Sequence, residues 1–208
     1  MTAADFPVHR VEPGDCVFRI FRVRDRFGRV LAPWTFSSRD ITAKPGRFDL
    51  DAPKGTCYTS DKEIGAWLEV FRHLSVVVSA EVDLRHLARI ERTGHTVPIA
   101  DLCHPRVPPF AVTLDMFAGD DYAKPQQLAR TLSNSGYGGL RALLRHDPTT
   151  NSHNIAVFGD AGKPSEVPGW QVETEPAGGN RDLLAELSER GIAIQTIPHH
   201  VATIPPSR

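Results

Sequence analysis

Two charged residues stand where their neighbours make them chemically useful. Glu69 falls in a stretch whose apolar residues, Ile64, Trp67, Leu68, Phe71 and Leu74, recur at helical spacing. At roughly 100° per residue that stripe covers about −80° to 40°, and Glu69 lies at about 140°, off the buried face. Gly65 and Ala66, one turn earlier, leave room for a ligand beside the carboxylate. The plainer reading is an exposed glutamate paired with His73 at i,i+4. Arg19 lies in Cys16-Val-Phe-Arg-Ile-Phe-Arg-Val-Arg24, a β-branched and aromatic run that reads as a strand. There Val17, Arg19, Phe21 and Val23 share one face. A guanidinium on an apolar face needs an internal carboxylate or an anionic ligand, and both readings are open.

Other chemistries find less support. His104, His146, His153, His199 and His200 form no helical i,i+4 pair with an accompanying acid, so no metal site is expected. Cys16, Cys57 and Cys103 are too far apart in sequence for a disulfide framework or a zinc knuckle. No nucleophile elbow supports Ser/His/Asp catalysis, and no glycine-rich phosphate loop is present.

The elements that must position Glu69 and Arg19 follow from local pattern. Residues 25–54 read as irregular, with a Pro45-Gly46 turn ahead of Arg47-Phe48. Thr56 to Thr59 reads as a short strand, and Ser60-Asp61-Lys62-Glu63 as a capping box opening the Glu69 helix. Ser75 to Val82 has the pattern of a buried strand, with Asp83 capping a short helix through Leu87. Residues 93–121, with four prolines, read as a long surface connection. Pro125 suits the first turn of a helix ended by Gly136. Leu140 to Leu144 and Ile155 to Phe158 are strand candidates. Asn180 caps a helix through Glu189, and a strand covers Ile192 to Ile197. This order predicts an α+β fold in a single domain rather than a regular βαβ alternation.

Composition sets the class. The 208 residues are 40% hydrophobic and 24% charged with a net charge of −1, which argues against a general nucleic-acid binder. The charge is unevenly spread: residues 1–47 carry nine Lys+Arg against five Asp+Glu, the remainder fifteen against twenty. The basic stretch is nearly all arginine, the side chain suited to bidentate phosphate or carboxylate binding, with a solvated basic edge as the plainer alternative. No apolar run is long enough to span a bilayer, and residues 1–15, with Asp5, Glu12 and Asp15, do not resemble a signal peptide. The cytoplasm is the expected compartment.

Several blocks in order carry a family resemblance. Phe18-Arg19-Ile20, Pro45-Gly46-Arg47-Phe48-Asp49, Gly55-Thr56-Cys57-Tyr58-Thr59-Ser60 and Trp67-Leu68-Glu69-Val70-Phe71 resemble the first half of the RES domain. Leu128-Ala129-Arg130, Gly136-Tyr-Gly-Gly-Leu-Arg141, Arg145-His146-Asp147-Pro148 and Asn154-Ile-Ala-Val-Phe158 are similar to its second half. The resemblance covers about residues 16–160, with 1–15 as lead-in and 161–208 as an extension, helix plus strand, packed on the same domain. It implies an ADP-ribosyltransferase-like mixed sheet flanked by helices. It also implies a bacterial toxin that cleaves NAD at the nicotinamide–ribose bond by hydrolysis or phosphorolysis, or transfers ADP-ribose to a protein.

NAD is then the substrate, inorganic phosphate a candidate co-substrate, and no cofactor is permanently bound. The implied partner is a helix-turn-helix antitoxin; no direct nucleic-acid or membrane contact is expected, and a homo-oligomer is compatible. By matching position, Glu69, Arg47 and Tyr58 are the implied catalytic residues, and Arg19, Arg47, Phe48, Tyr58 and Asn154 those that hold the dinucleotide. Arg19 and Arg47 would take the pyrophosphate or an attacking phosphate, Tyr58 would stack on nicotinamide or ribose, and Glu69 would orient ribose hydroxyls and stabilise developing positive charge. One position departs from the family pattern. Leu144 stands where RES domains carry a serine. Either Thr149, Thr150 or Ser152 supplies the hydroxyl, or the reaction tolerates its loss, or the activity is altered and the chain is a catalytically weakened binding protein.

Overall fold

The structure, a computed structural model, describes residues 5–41, 43–72 and 74–197. His73, His199 and His200 lie outside the described residues. Ten strands and five helices follow in order: β1 (Val8–Val11), β2 (Cys16–Arg22), β3 (Lys54–Ser60), α1 (Glu63–Phe71), β4 (Val76–Val78), α2 (Ser79–Asp83), β5 (Arg85–Arg92), β6 (Val97–Asp101), α3 (Asp115–Ala118), α4 (Ala123–Asn134), β7 (Gly139–Leu143), β8 (His153–Asp160), β9 (Trp170–Pro176), α5 (Arg181–Glu189) and β10 (Ala193–Gln195). Eight strands form one mixed sheet in the order β1-β6-β7-β8-β3-β2-β5-β9, and β10 pairs with β4 in a second. Within the large sheet only β6 and β7 run parallel. The α+β expectation, a mixed sheet flanked by helices, holds.

The periodic helices form where their spacing places them. On α1, Ile64, Trp67, Leu68 and Phe71 are buried against Ile20, Val82, Leu87, Leu144, Leu183 and Leu187. On α4, Ala129 and Leu132 pack onto Leu140 and Ala156 of the sheet. The α5 start is capped as its sequence indicates, Asn180 Oδ1 accepting from Leu183 N at 2.8 Å. The expected capping box at α1 does not form, because its groups are engaged across the chain. Ser60 Oγ donates to His153 O, Asp61 accepts from His153 N, and Glu63 accepts from Asn180 Nδ2.

Strands with mixed composition escape the sequence reading. Val76–Val78 is a strand, but Ser79 to Asp83 turns helical, and where a helix is expected from Asp83 to Leu87 the helix instead ends at Asp83 and β5 begins at Arg85. Flanked by β2 and β9, that arginine-rich strand buries Leu87, Ala88 and Ile90, so its identity comes from partners on both sides. The proline-rich connection contains β6: Pro98 lies opposite Arg10 of β1, and pairing with β7 begins only at Ala100, beyond the proline. Trp170 packs edge-on against Trp34 with ring centroids 5.9 Å apart, and β9 extends the sheet beyond β5.

A break in the pairing opens the sheet near α1. β3 pairs with β8 over seven positions, but β2 meets β3 only at Phe18 and Ser60. The two strands separate beyond that contact, and α1 lies against both.

Candidate active site

The gap between β2 and β3 is where Arg19 lies. Its Nη1 donates to Tyr58 O at 3.2 Å and to Cys57 Sγ at 2.9 Å, while its Nε is buried without a partner. No carboxylate among the described residues pairs with it, so of the two readings of a guanidinium on an apolar face the internal ion pair is not realised. Arg19 lines a cavity of about 230 Å³ together with Phe18, Tyr58, Ala66, Glu69 and Val70. Ala66 does leave room beside Glu69. Gly65 does not: a Cβ there would lie 2.1 Å from Ser60 Oγ, so its smallness serves the packing of α1 on the strand below.

Glu69 and Tyr58 also form a wall of a larger cavity of about 610 Å³, which Arg47, Phe48 and Asn154 line as well. The structure thus brings five of the six sequence-derived site residues to one cavity and places Arg19 in its neighbour. Arg47 and Arg19 are on opposite sides of the Tyr58–Glu69 wall.

The residues are held from several elements. The Asn154 amide, from β8, donates to Glu69 Oε1 at 3.2 Å, and Asn154 Oδ1 is buried with no partner. Tyr58, on β3, has its hydroxyl fully engaged: it donates to Asp49 Oδ1 at 2.9 Å and accepts from Phe48 N at 2.8 Å. A Cβ on Gly46 would lie 2.4 Å from that oxygen, so only glycine admits the approach. Asp49, completely buried, also accepts from Gly46 N, which fixes the turn that presents Arg47. Arg47 Nη1 donates to Gly119 O at 2.8 Å and Met116 O at 3.3 Å, and its guanidinium stacks 4.5 Å from the Tyr122 ring centre. Phe48 is buried in the core beneath.

Charge in the large cavity is one-sided. Among the described residues Lys44, Arg47, Arg72 and Arg145 line it, against the single carboxylate of Glu69. Burial raises the Glu69 pKa, while the Asn154 hydrogen bond and the charges of Arg72, Arg47 and Arg145 pull it back. The Tyr58 hydroxyl is pushed well above its ordinary value, by burial first and the Asp49 carboxylate second. It is therefore a neutral hydrogen-bonding anchor at physiological pH.

The raised Glu69 pKa has a consequence for stability. The folded chain holds that proton more tightly than the unfolded chain, so stability falls as pH rises through the raised pKa. Glu69→Gln is expected to melt above wild type at pH 8, with the difference closing as pH drops below the ordinary glutamate range. Thermal melts across pH 4 to 8 measure this, and a pH-independent difference would contradict it.

Arg72, Arg145, Lys44 and Asp49 have no assigned role in the sequence reading. Asp49 and Arg145 stand inside the quoted blocks, but Arg72 has no signal. It ends α1 with φ 56° and ψ −128°, a backbone region that glycine favours and that costs a substituted residue about 1–3 kcal/mol.

Leu144 does not face the cavity. Its neighbours Leu143 and Arg145 do, whereas Leu144 is buried among Ile20, Ile64 and Trp67. The candidate replacements do not line the cavity either. Thr149 Oγ1 donates to Asp147, Thr150 is exposed, and Ser152 is fully buried behind Gly65. Among the described residues no three His, Cys, Asp or Glu side chains gather as a metal-binding group, and no helix is long and apolar enough to cross a membrane.

The RES domain model matches residues 17–176 of the chain. The chain belongs to the RES domain family. Its RES fold is similar to that of a chain in the crystal structure of the M. tuberculosis MbcT–MbcA toxin–antitoxin complex, with a TM-score of 0.56 and 16% identity over 85% of this chain and 92% of that one. No curated protein matches. The RES match runs from β2 through β9 and contains every residue that lines the two cavities.

Proposed function

We propose that this RES protein is a toxin-like enzyme that breaks the nicotinamide–ribose bond of NAD, as a glycohydrolase or phosphorylase. The observation that carries the reading is Glu69, a carboxylate held by Asn154 in a cavity whose other charged groups are all cationic. As the bond breaks, its electron pair goes to the nicotinamide nitrogen, which leaves neutral, and positive charge develops on the ribose. A fixed carboxylate stabilises that charge, and no strong general acid is required. The cationic nicotinamide itself favours the ionised form of Glu69. Arg47 supplies charge for the pyrophosphate, and Arg19 adds positive charge from the neighbouring cavity beyond the Tyr58–Glu69 wall. Tyr58 and Phe48 give it an apolar surface. Water, or inorganic phosphate as co-substrate, then adds to the ribose carbon and gives up a proton.

MbcT–MbcA is a toxin–antitoxin complex, and the shared fold supports an antitoxin partner here, of helix-turn-helix type by the family resemblance. Expression of the chain alone in a bacterium is expected to deplete NAD and arrest growth, and Glu69→Gln to abolish both. Arrest with an intact NAD pool would overturn the reading. Transfer of ADP-ribose to a protein is the second reading, since the same bond breaks; label from NAD would then remain on protein. The weakened binding protein rests on Leu144, which lies in the core and away from the ligand cavity.

A further inference from the structure

We propose that Arg72, together with Arg145, holds a phosphate-type oxyanion beside Glu69, at a position separate from that of Arg47. Four cations and one carboxylate line the large cavity, and a dinucleotide pyrophosphate would leave part of that positive charge unanswered. Arg72 and Arg145 are the two of these cations that, besides Arg47, act on the Glu69 carboxylate. Arg47 is anchored to two backbone carbonyls and the Tyr122 ring, whereas the Arg72 side chain has no hydrogen bond or ion pair among the described residues. Among the described residues Arg145 has only Asp120 at 3.7 Å, and the Asp120 side chain is almost wholly exposed. An ion pair of that kind competes weakly with a ligand.

The placement of Arg72 is the second argument. It lies three residues beyond Glu69, and both it and Arg145 act electrostatically on that carboxylate. Its backbone N–H is fixed to Leu68 O at 2.7 Å, and the preceding Phe71 is locked against Trp67. The chain therefore keeps an arginine in a conformation where glycine would be relaxed. Strain of this kind collects at ligand sites, where the side chain it displays is used. Two guanidinium forks suit the oxygens of a phosphate group better than a carboxamide or a neutral sugar. The oxyanion is either free phosphate or a phosphate group of the bound dinucleotide. The NAD-cleaving reading bears on which source applies, and the anion position stands without it.

The test uses the full chain as wild type, Arg72→Gly and Arg72→Lys. Titration calorimetry with inorganic phosphate, against chloride at equal ionic strength, is expected to show binding by wild type, a loss of tenfold or more in Arg72→Gly, and partial retention in Arg72→Lys. Arg72→Gly is also expected to melt about 2–12 °C above wild type, since the strain is removed. Nicotinamide release then separates the sources. A raised KM for phosphate alone in Arg72→Gly assigns free phosphate, and a raised KM for NAD or its 2′-phosphorylated form assigns the dinucleotide. Wild type that binds no phosphate, or Arg72→Gly that binds it equally well, overturns the proposal, as does a lower melting temperature for Arg72→Gly. Phosphate binding that depends on Arg72 without nicotinamide release sustains the anion position and rejects the NAD-cleaving reading.

Discussion

Glu69→Gln is expected to slow nicotinamide release from NAD by about 10²–10³-fold. The substitution keeps the shape of the side chain and an oxygen for the Asn154 amide, and removes the charge. A unit charge about 4 Å from developing positive charge, at an effective dielectric of about 20, is worth about 4 kcal/mol, which is that same rate factor. The pH profile distinguishes this role from acid catalysis. An electrostatic Glu69 works ionised, so the rate should rise with pH through its raised pKa and then level off. A glutamate acting as a proton donor would give the opposite slope. Steady-state rates from pH 4 to 8 decide between them.

Leu144→Ser is expected to destabilise the fold by about 3–5 kcal/mol without increasing turnover. The side chain is 4% exposed, among Ile20, Ile64, Trp67 and other residues beneath α1. Truncating a leucine in such a core costs about 2–5 kcal/mol, and the serine adds a hydroxyl that must find a partner there. Urea unfolding should show a lower midpoint with an unchanged slope. Restoration of the family serine that instead speeds nicotinamide release at little cost in stability would place residue 144 at the ligand.

What could be read from the sequence divides along physical lines. Helices α1, α4 and α5 were legible because their apolar spacing reports one buried face. Strands β5 and β6 were not, because charged residues and a proline are tolerated where neighbouring strands supply the pairing. At the site, the angle of Glu69 off its apolar stripe was visible in local spacing. Its hydrogen-bond partner Asn154, 85 residues away, entered only through the family pattern. Arg72 escaped both routes, since a positive φ at a non-glycine residue has no signature in composition or period. Leu144 misled for a related reason. A motif position fixes a place in the chain, and the alternation of Leu143, Leu144 and Arg145 decides which of them faces the cavity.

The central claim, a cavity built around Glu69 to break the nicotinamide–ribose bond, is tested most directly with purified chain and NAD alone. Free nicotinamide is followed over time, with and without inorganic phosphate, beside the Glu69→Gln variant. Release by the wild type that the variant loses is the predicted result. No release under either condition, or equal release by both proteins, would contradict it.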